Sequence, residues 1–173
     1  QMCIRDRHIT NIGDDLLYSS LADGTFLDIT DEAECKPIDP ASTVAWAAVM
    51  SDLDLDGDLD LAVTHGPFFL DTKSTDLEQS DLLLLGDGTG RCRDISTHAG
   101  FDDKGIGRAV AAGDLNRDGR PDLVVAGQWY ARILMATGGC TESVTLTVDA
   151  GPGNRAGIGT RVDMTLEDGH SQT

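Results

Sequence analysis

Two stretches of this 173-residue chain place oxygen-bearing side chains at every second position. The first holds Asp52, Asp54, Asp56, Gly57, Asp58 and Asp60, and the second holds Asp114, Asn116, Asp118, Gly119, Arg120 and Asp122. Both obey the pattern D-x-[DN]-x-D-G-x-x-D. A hard cation such as Ca2+ takes about six to eight oxygen ligands. Side chains at positions one, three and five converge when the backbone curls around a point, and glycine at position six permits the sharp turn. Position seven offers its backbone carbonyl, so its side chain is free to vary, as Asp58 and Arg120 do. The aspartate at position nine closes the cage. Without a counter-ion, several carboxylates so close together repel one another. The expectation is therefore two Ca2+ sites, since Mg2+ keeps more water and uses fewer carboxylates. An EF-hand is excluded, because its twelfth position is a bidentate glutamate and here that position is Val63 or Val125.

The segments around these loops repeat as well. Trp46–Gly66 (WAAVMSDLDLDGDLDLAVTHG) aligns with Arg108–Gly127 (RAVAAGDLNRDGRPDLVVAG), taking Asp52 onto Asp114. Leu17–Thr30 (LYSSLADGTFLDIT) aligns with Leu82–Ser96 (LLLLGDGTGRCRDIS), taking Asp23 onto Asp87. Two motifs alternating with one period of roughly 62–64 residues mark a structural repeat. Within a period the apolar runs are short and are separated by Gly/Asp turns, which reads as strands. They are Val44–Met50, Leu61–Thr64, Leu82–Leu85, Ala109–Ala112, Leu123–Ala126 and Arg132–Ala136. Small residues such as Ala45, Ala47, Ala48, Ala111 and Ala112 suit strands crowded around an axis. About four short strands per period describes a blade, so the predicted class is all-β, a partial β-propeller. Val144–Val148 and Arg161–Thr165 read as further strands outside the repeat.

Composition narrows the function. The chain has 30 acidic and 13 basic residues, a formal net charge of −17, and only three lysines. Of the acids, 25 are aspartate and five glutamate, an excess of the residue type that favours turns and metals. Such a chain is unsuited to phosphate backbones or anionic membranes, so nucleic acid is not an expected partner. A hydrophobic fraction of 40% is enough to build a core. No apolar run reaches the roughly 20 residues of a membrane-spanning helix. The histidines at 8, 65, 98 and 170 share no spacing and read as strand or turn residues. No G-x-S-x-G, P-loop or G-x-G-x-x-G motif is present, so no enzyme is expected. Cysteines at 3, 35, 92 and 140 fit no zinc pattern. Free buried thiols are the simpler reading, and a Cys35–Cys92 bridge is the alternative. Trp46, Trp129 and Tyr130 are expected to pack between blades or cap one.

The loops, the DGT turns at Asp23–Phe26 and Asp87–Gly90, and the stretch Asn154–Val162 (NRAGIGTRV) together resemble a known arrangement. The first two are similar to the FG-GAP/VCBS repeat family, the calcium-loop blades also found in integrin alpha chains. The third resembles the N-R-x-G-I-G-A-R-V signature of the ASPIC/UnbV domain that follows such repeats. Gly90 departs from the usual phenylalanine, and Cys92–Arg93 is read as lengthening that turn by one residue. The resemblance implies a β-propeller in a secreted or surface protein, with Ca2+ on the loop between a blade's first two strands. It implies ligand roles for Asp52, Asp54, Asp56 and Asp60 and for Asp114, Asn116, Asp118 and Asp122, with the carbonyls of Asp58 and Arg120 joining them. Arg117-Asp118-Gly119 spells an adhesion tripeptide by coincidence, since Asp118 belongs to the loop. Residues 1–7 (QMCIRDR) fit nothing after them and read as a non-native leader. Residues 8–43 read as the end of a preceding blade plus linker, 44–104 as one calcium blade, 105–140 as a second, and 141–173 as a partial ASPIC/UnbV-like domain. A closed propeller needs at least about four blades, so a fragment is expected. The functional expectation is a non-catalytic, extracellular, cell-surface or periplasmic scaffold for adhesion or for a protein or glycan ligand. The alternative is the accessory propeller of a larger secreted hydrolase or lyase.

Overall fold

A computed structural model describes residues 6–21, 23–33, 35, 43–68, 79–138, 146–149, 151–155, 157–160, 162, 164–165 and 171–172. The chain divides into two compact units, 1–139 and 140–173. The first unit holds three antiparallel sheets. Strands β1 (Arg7–Ile9), β2 (Leu16–Ser20) and β3 (Phe26–Asp28) form one, in sequence order. Strands β4 (Ala45–Ser51), β5 (Asp60–His65), β6 (Leu82–Gly86) and β7 (Cys92–Asp94) form the second. A one-turn helix α1 (Ser96–Ala99) leads to β8 (Gly107–Gly113), β9 (Asp122–Gly127) and β10 (Ala131–Leu134), which form the third. The architecture is all-β but for that one helical turn, in keeping with a partial β-propeller. In the second unit β11 (Met164–Thr165) pairs with β12 (Ser171–Gln172). Among the described residues no helix is long and apolar enough to cross a membrane.

The middle sheet explains the leucine run. Side chains alternate between the two faces of a strand. Leu61 and Val63 of β5 and Leu82 and Leu84 of β6 face the first sheet, joining Leu17, Ala33, Cys35 and Ala45 in one core. Ala62 and Leu83 face the other way and join Phe101, Leu123 and Val125 of the third-sheet side. A strand covered on both faces has no polar alternation to show. Phe101 reaches that second core because Gly100 adopts φ 67° and ends α1 at once.

Three small devices recur from sheet to sheet. Asp28 accepts from Thr30 N and Oγ1, and the Thr30 hydroxyl accepts from Leu17 N. Asp94, Ser96 and Leu83 repeat these bonds. Asp15 and Asp81 stand just before β2 and β6 and accept from Asn11 N and His65 N respectively, both at 2.8 Å. At the start of the repeat, β4 and β8 both break register, between Ala45 and Ala47 and between Gly107 and Ala109. The residues extruded are Trp46 and Arg108, and the guanidinium lies 4.2 Å from the Trp46 ring centroid. Trp46 also stacks on Phe68 and donates from Nε1 to Gly66 O at 2.7 Å. Adjacent sheets are therefore joined by a cation–π contact between equivalent positions.

Several expectations change. Arg7 lies in β1, and Asp6 accepts from Ser20 N at 2.8 Å, so the end of the set-aside leader is part of the first sheet. Trp129 is 74% exposed, where packing between blades was expected, although Tyr130 beside it joins the second core. Cys35 and Cys92 form a disulfide, with Cα atoms 5.0 Å apart, where free thiols were the simpler reading. The core contacts of both residues set this pairing, not their spacing in sequence. Residues 146–148 lie outside any strand. The β2–β3 and β6–β7 connections both close from the pairs Ser20↔Phe26 and Gly86↔Cys92, so the second is no longer than the first. The DGT triplet has instead slid two positions toward β6. Cys3, Cys140, Val144, Arg161 and His170 lie outside the described residues.

Asp81 offers a pH test. It is 2% exposed, and burial raises its pKa from 3.8 to about 7 against the opposing His65 N–H bond. Asp103 pushes it the same way and Arg132 opposes. The folded value exceeds the unfolded one, so this group's stabilisation is complete below about pH 4 and is lost as pH rises through about 7. Asp81→Asn keeps an acceptor for His65 and removes the titration. Urea midpoints should therefore move in the variant's favour, relative to the parent chain, between pH 4.5 and pH 8.

Candidate metal centre

The first acidic loop joins β4 to β5 and the second joins β8 to β9. Their backbones are copies. Leu55 and Arg117, at position four, adopt φ 64° and 63°, and Gly57 and Gly119, at position six, adopt 98° and 87°. Non-glycine residues rarely take positive φ, and each costs about 1–3 kcal/mol, so the loop must be held by other contacts. Those contacts are the same in both copies. Asp52 Oδ1 accepts from Asp56 N and Oδ2 from Gly57 N, at 3.1 Å each. Asp114 accepts from Asp118 N and Gly119 N in the same way. Position three, Asp54 or Asn116, accepts from the position-five N–H. Position five, Asp56 or Asp118, accepts from the position-seven N–H.

Position nine is different. Asp60 and Asp122 are both 0% exposed. Each Oδ2 accepts from the second residue of its own loop, Leu53 N at 2.6 Å or Leu115 N at 3.0 Å. Each Oδ1 reaches across its sheet, to Gly86 N at the end of β6 at 3.0 Å or to Ala136 N just past β10 at 2.8 Å. This aspartate latches the loop to the sheet. Asp6 takes the same place in the first sheet through Ser20 N. Sequence comparison misses it because five residues stand before Asp6, fewer than the eight over which the loop pattern is read.

The fit to a cation is closest in the first loop. One carboxylate oxygen each of Asp52, Asp54 and Asp60 lies within 4.8 Å of the others. That spread suits oxygens at opposite sides of an ion bonded at about 2.3–2.6 Å. Burial raises the pKa of Asp52 and of Asp54, with Asp56 adding repulsion to both. Burial also lifts Asp60 to about 6 against its two backbone donors. Crowded and partly dehydrated anions of this kind gain from a positive partner. In the second loop the Asn116 amide donates to Asp118 Oδ2 at 2.8 Å, and this bond lowers the Asp118 pKa. Among positions one, three, five and nine that loop thus has one carboxylate fewer and an internal hydrogen bond in its place. The side chains at position seven leave both loops. Asp58 lies against Gly88 in the neighbouring turn, and Arg120 lies beside Gly138. Position seven can then contribute only its carbonyl, as the sequence pattern requires. A cleft of about 380 Å3, lined by Asp54, Asp56, Asp87, Arg91 and Arg93, opens the first loop to solvent.

Residues 69–125 match the family model of an FG-GAP-like repeat. The match lies wholly within the unit 1–139 and spans the second loop, β6, β7 and β8. No curated protein matches the chain.

Gly88 supports the first loop from outside. It sits at φ 67°, and a Cβ there would strike the Asp58 carboxylate. Gly24, in the corresponding DGT turn, has φ 85° and open space around it. Gly88→Ala and Gly24→Ala should each lose about 1–3 kcal/mol in urea denaturation from the backbone alone. Gly88→Ala should lose more, and the gap between the two measures the contact with Asp58.

Proposed function

We propose that this chain is part of a calcium-stabilised propeller of a secreted or cell-surface protein, serving as a non-catalytic scaffold for a protein or glycan ligand. The observation that carries the reading is the duplicated loop, with the same strained backbone, the same carboxylate bonds and the same buried latch twice over. The FG-GAP-like match supports it. The Cys35–Cys92 bridge favours an oxidising compartment. His8 and His65 are shut away from solvent, and burial lowers both to a pKa of about 4, which suits packing and not acid–base work. The ASPIC/UnbV-like reading of Asn154–Val162 rests on sequence, and its loop is closed locally by Asn154 bonding to both N and O of Ile158.

In the first loop Asp52, Asp54, Asp56 and Asp60, with the Asp58 carbonyl, would hold one ion. In the second Asp114, Asn116, Asp118 and Asp122, with the Arg120 carbonyl, would hold another. Calcium, when bound, supplies positive charge that relieves carboxylate repulsion and stiffens the loop. The chain's own part is to pre-form the curl. Asp52 and Asp114 tie the turn, Leu55 and Arg117 carry the strain, and Asp60 and Asp122 fix the loop against the sheet.

Calorimetric titration should find two calcium equivalents per chain. Asp54→Ala/Asp56→Ala should remove one and Asp114→Ala/Asp118→Ala the other, with Asp60 and Asp122 left intact to protect the fold. At 100 times the dissociation constant, each independent site should add about 2.7 kcal/mol to stability. A folded chain that binds no calcium, or binds it equally well without these side chains, overturns the assignment.

A further inference from the structure

The Cys35–Cys92 disulfide stands one cross-strand pair from the first acidic loop. Cys92 opens β7 and pairs with Gly86, the last residue of β6. The Gly86 N–H in turn donates to Asp60 Oδ1. The turn between these two strands carries Gly88, which cradles Asp58. Arg93, one residue past the cysteine, favours the charged form of Asp54. On the other side Cys35 is 6% exposed, in the core shared by the first and second sheets. The bridge therefore fastens the outer hairpin of the second sheet to the segment trailing the first, at the end where the loop sits.

The second loop is a built-in comparison. Asp122 has the same latch, to Ala136 N, and among the described residues the third sheet holds no cysteine.

We propose that the Cys35–Cys92 bridge keeps the first loop in its cation-binding shape, so that reducing it weakens calcium binding there and leaves the second loop unchanged. The proposal rests on the reading of both loops as calcium sites. In the reducing step a dithiol supplies two electrons and two protons. The Cys35–Cys92 S–S bond breaks to two thiols, and the dithiol closes to its own cyclic disulfide. β7 is then a three-residue edge strand held by its three ladder pairs, Leu84↔Asp94, Leu85↔Arg93 and Gly86↔Cys92. Fraying of the last pair loosens the strand end that aims the Gly86 N–H at Asp60. By linkage, calcium in the first loop must make the bridge harder to reduce by the same factor.

The test uses the full chain with Cys3→Ser and Cys140→Ser, calcium chloride as the only probe, and dithiothreitol as reductant. Asp114→Ala/Asp118→Ala isolates the first loop and Asp54→Ala/Asp56→Ala isolates the second. On reduction, calcium affinity should fall about tenfold in the first-loop chain, the scale of one hydrogen bond to a charged group. It should not change in the second-loop chain. A reciprocal measurement starts from the oxidised fold and needs no folded reduced state. Calcium should raise the dithiothreitol ratio for half-reduction in the first-loop chain and not in the second-loop chain. Unchanged affinity, parallel loss in both loops, or no calcium effect on reduction overturns the coupling and leaves the calcium reading standing. An oxidised chain that binds no calcium overturns both.

Discussion

A carboxylate removed from water is costly unless donors meet it. Asp60 and Asp122 are wholly buried, and each is met by two backbone N–H groups from different parts of the chain. Much of the architecture depends on that pairing. One oxygen sets where the acidic loop begins to curl, and the other sets where the third strand ends. Loop and sheet thus cannot move independently, and the strained residues at position four stay in place because both ends of the curl are pinned. Asp6 shows that the latch persists in a sheet whose own loop pattern is not visible. In this chain the aspartate at the strand start is the more general element, wholly buried as Asp60 and Asp122 and half-buried as Asp6, and the carboxylates of the loops are the specialised one.

The two ends of the sheets differ in chemistry. Acidic loops and DGT turns gather at one, where charge is crowded and bonds run between backbone N–H and carboxylate. At the other, Asp15 and Asp81 cap strand ends, and Trp46, Phe68 and Arg108 stack over the joint between the second and third sheets. Arg108 is held there by bonds to the carbonyls of Gly107 and Pro67. Between these ends the cores are chiefly apolar and alternate across β5 and β6, with the buried Ser96 hydroxyl accepting from Leu83 N. Tyr130 stands just before β10, as Asp15 stands before β2 and Asp81 before β6, and packs against Gly127 and Gly105, where a Cβ would collide with its ring.

Much of this was legible in the sequence, for a physical reason. A curl that needs oxygen at alternate positions and glycine at the sixth leaves little freedom, so both loops and their flanking strands stand out as written. The features that escaped depend on contacts between distant segments. The Cys35–Cys92 pairing is decided by the core where the first two sheets meet. Asp6 has a partner but no motif. Trp129, a large aromatic, reads as buried, yet the tight β9–β10 turn leaves it in solvent. The extruded Trp46 and Arg108 are equivalent by position but share no chemistry, so nothing in the letters announces that they touch.

The FG-GAP-like match at 69–125 begins beyond β5 and ends inside β9, so it covers the outer half of one sheet and the inner half of the next. The matched stretch and the sheets are therefore out of step: it holds β6 and β7 of one sheet and β8 with part of β9 of the next. Severed at those two points, it would part β6 from β5 and leave β8 only the start of its partner strand, so neither ladder could close without the residues on either side.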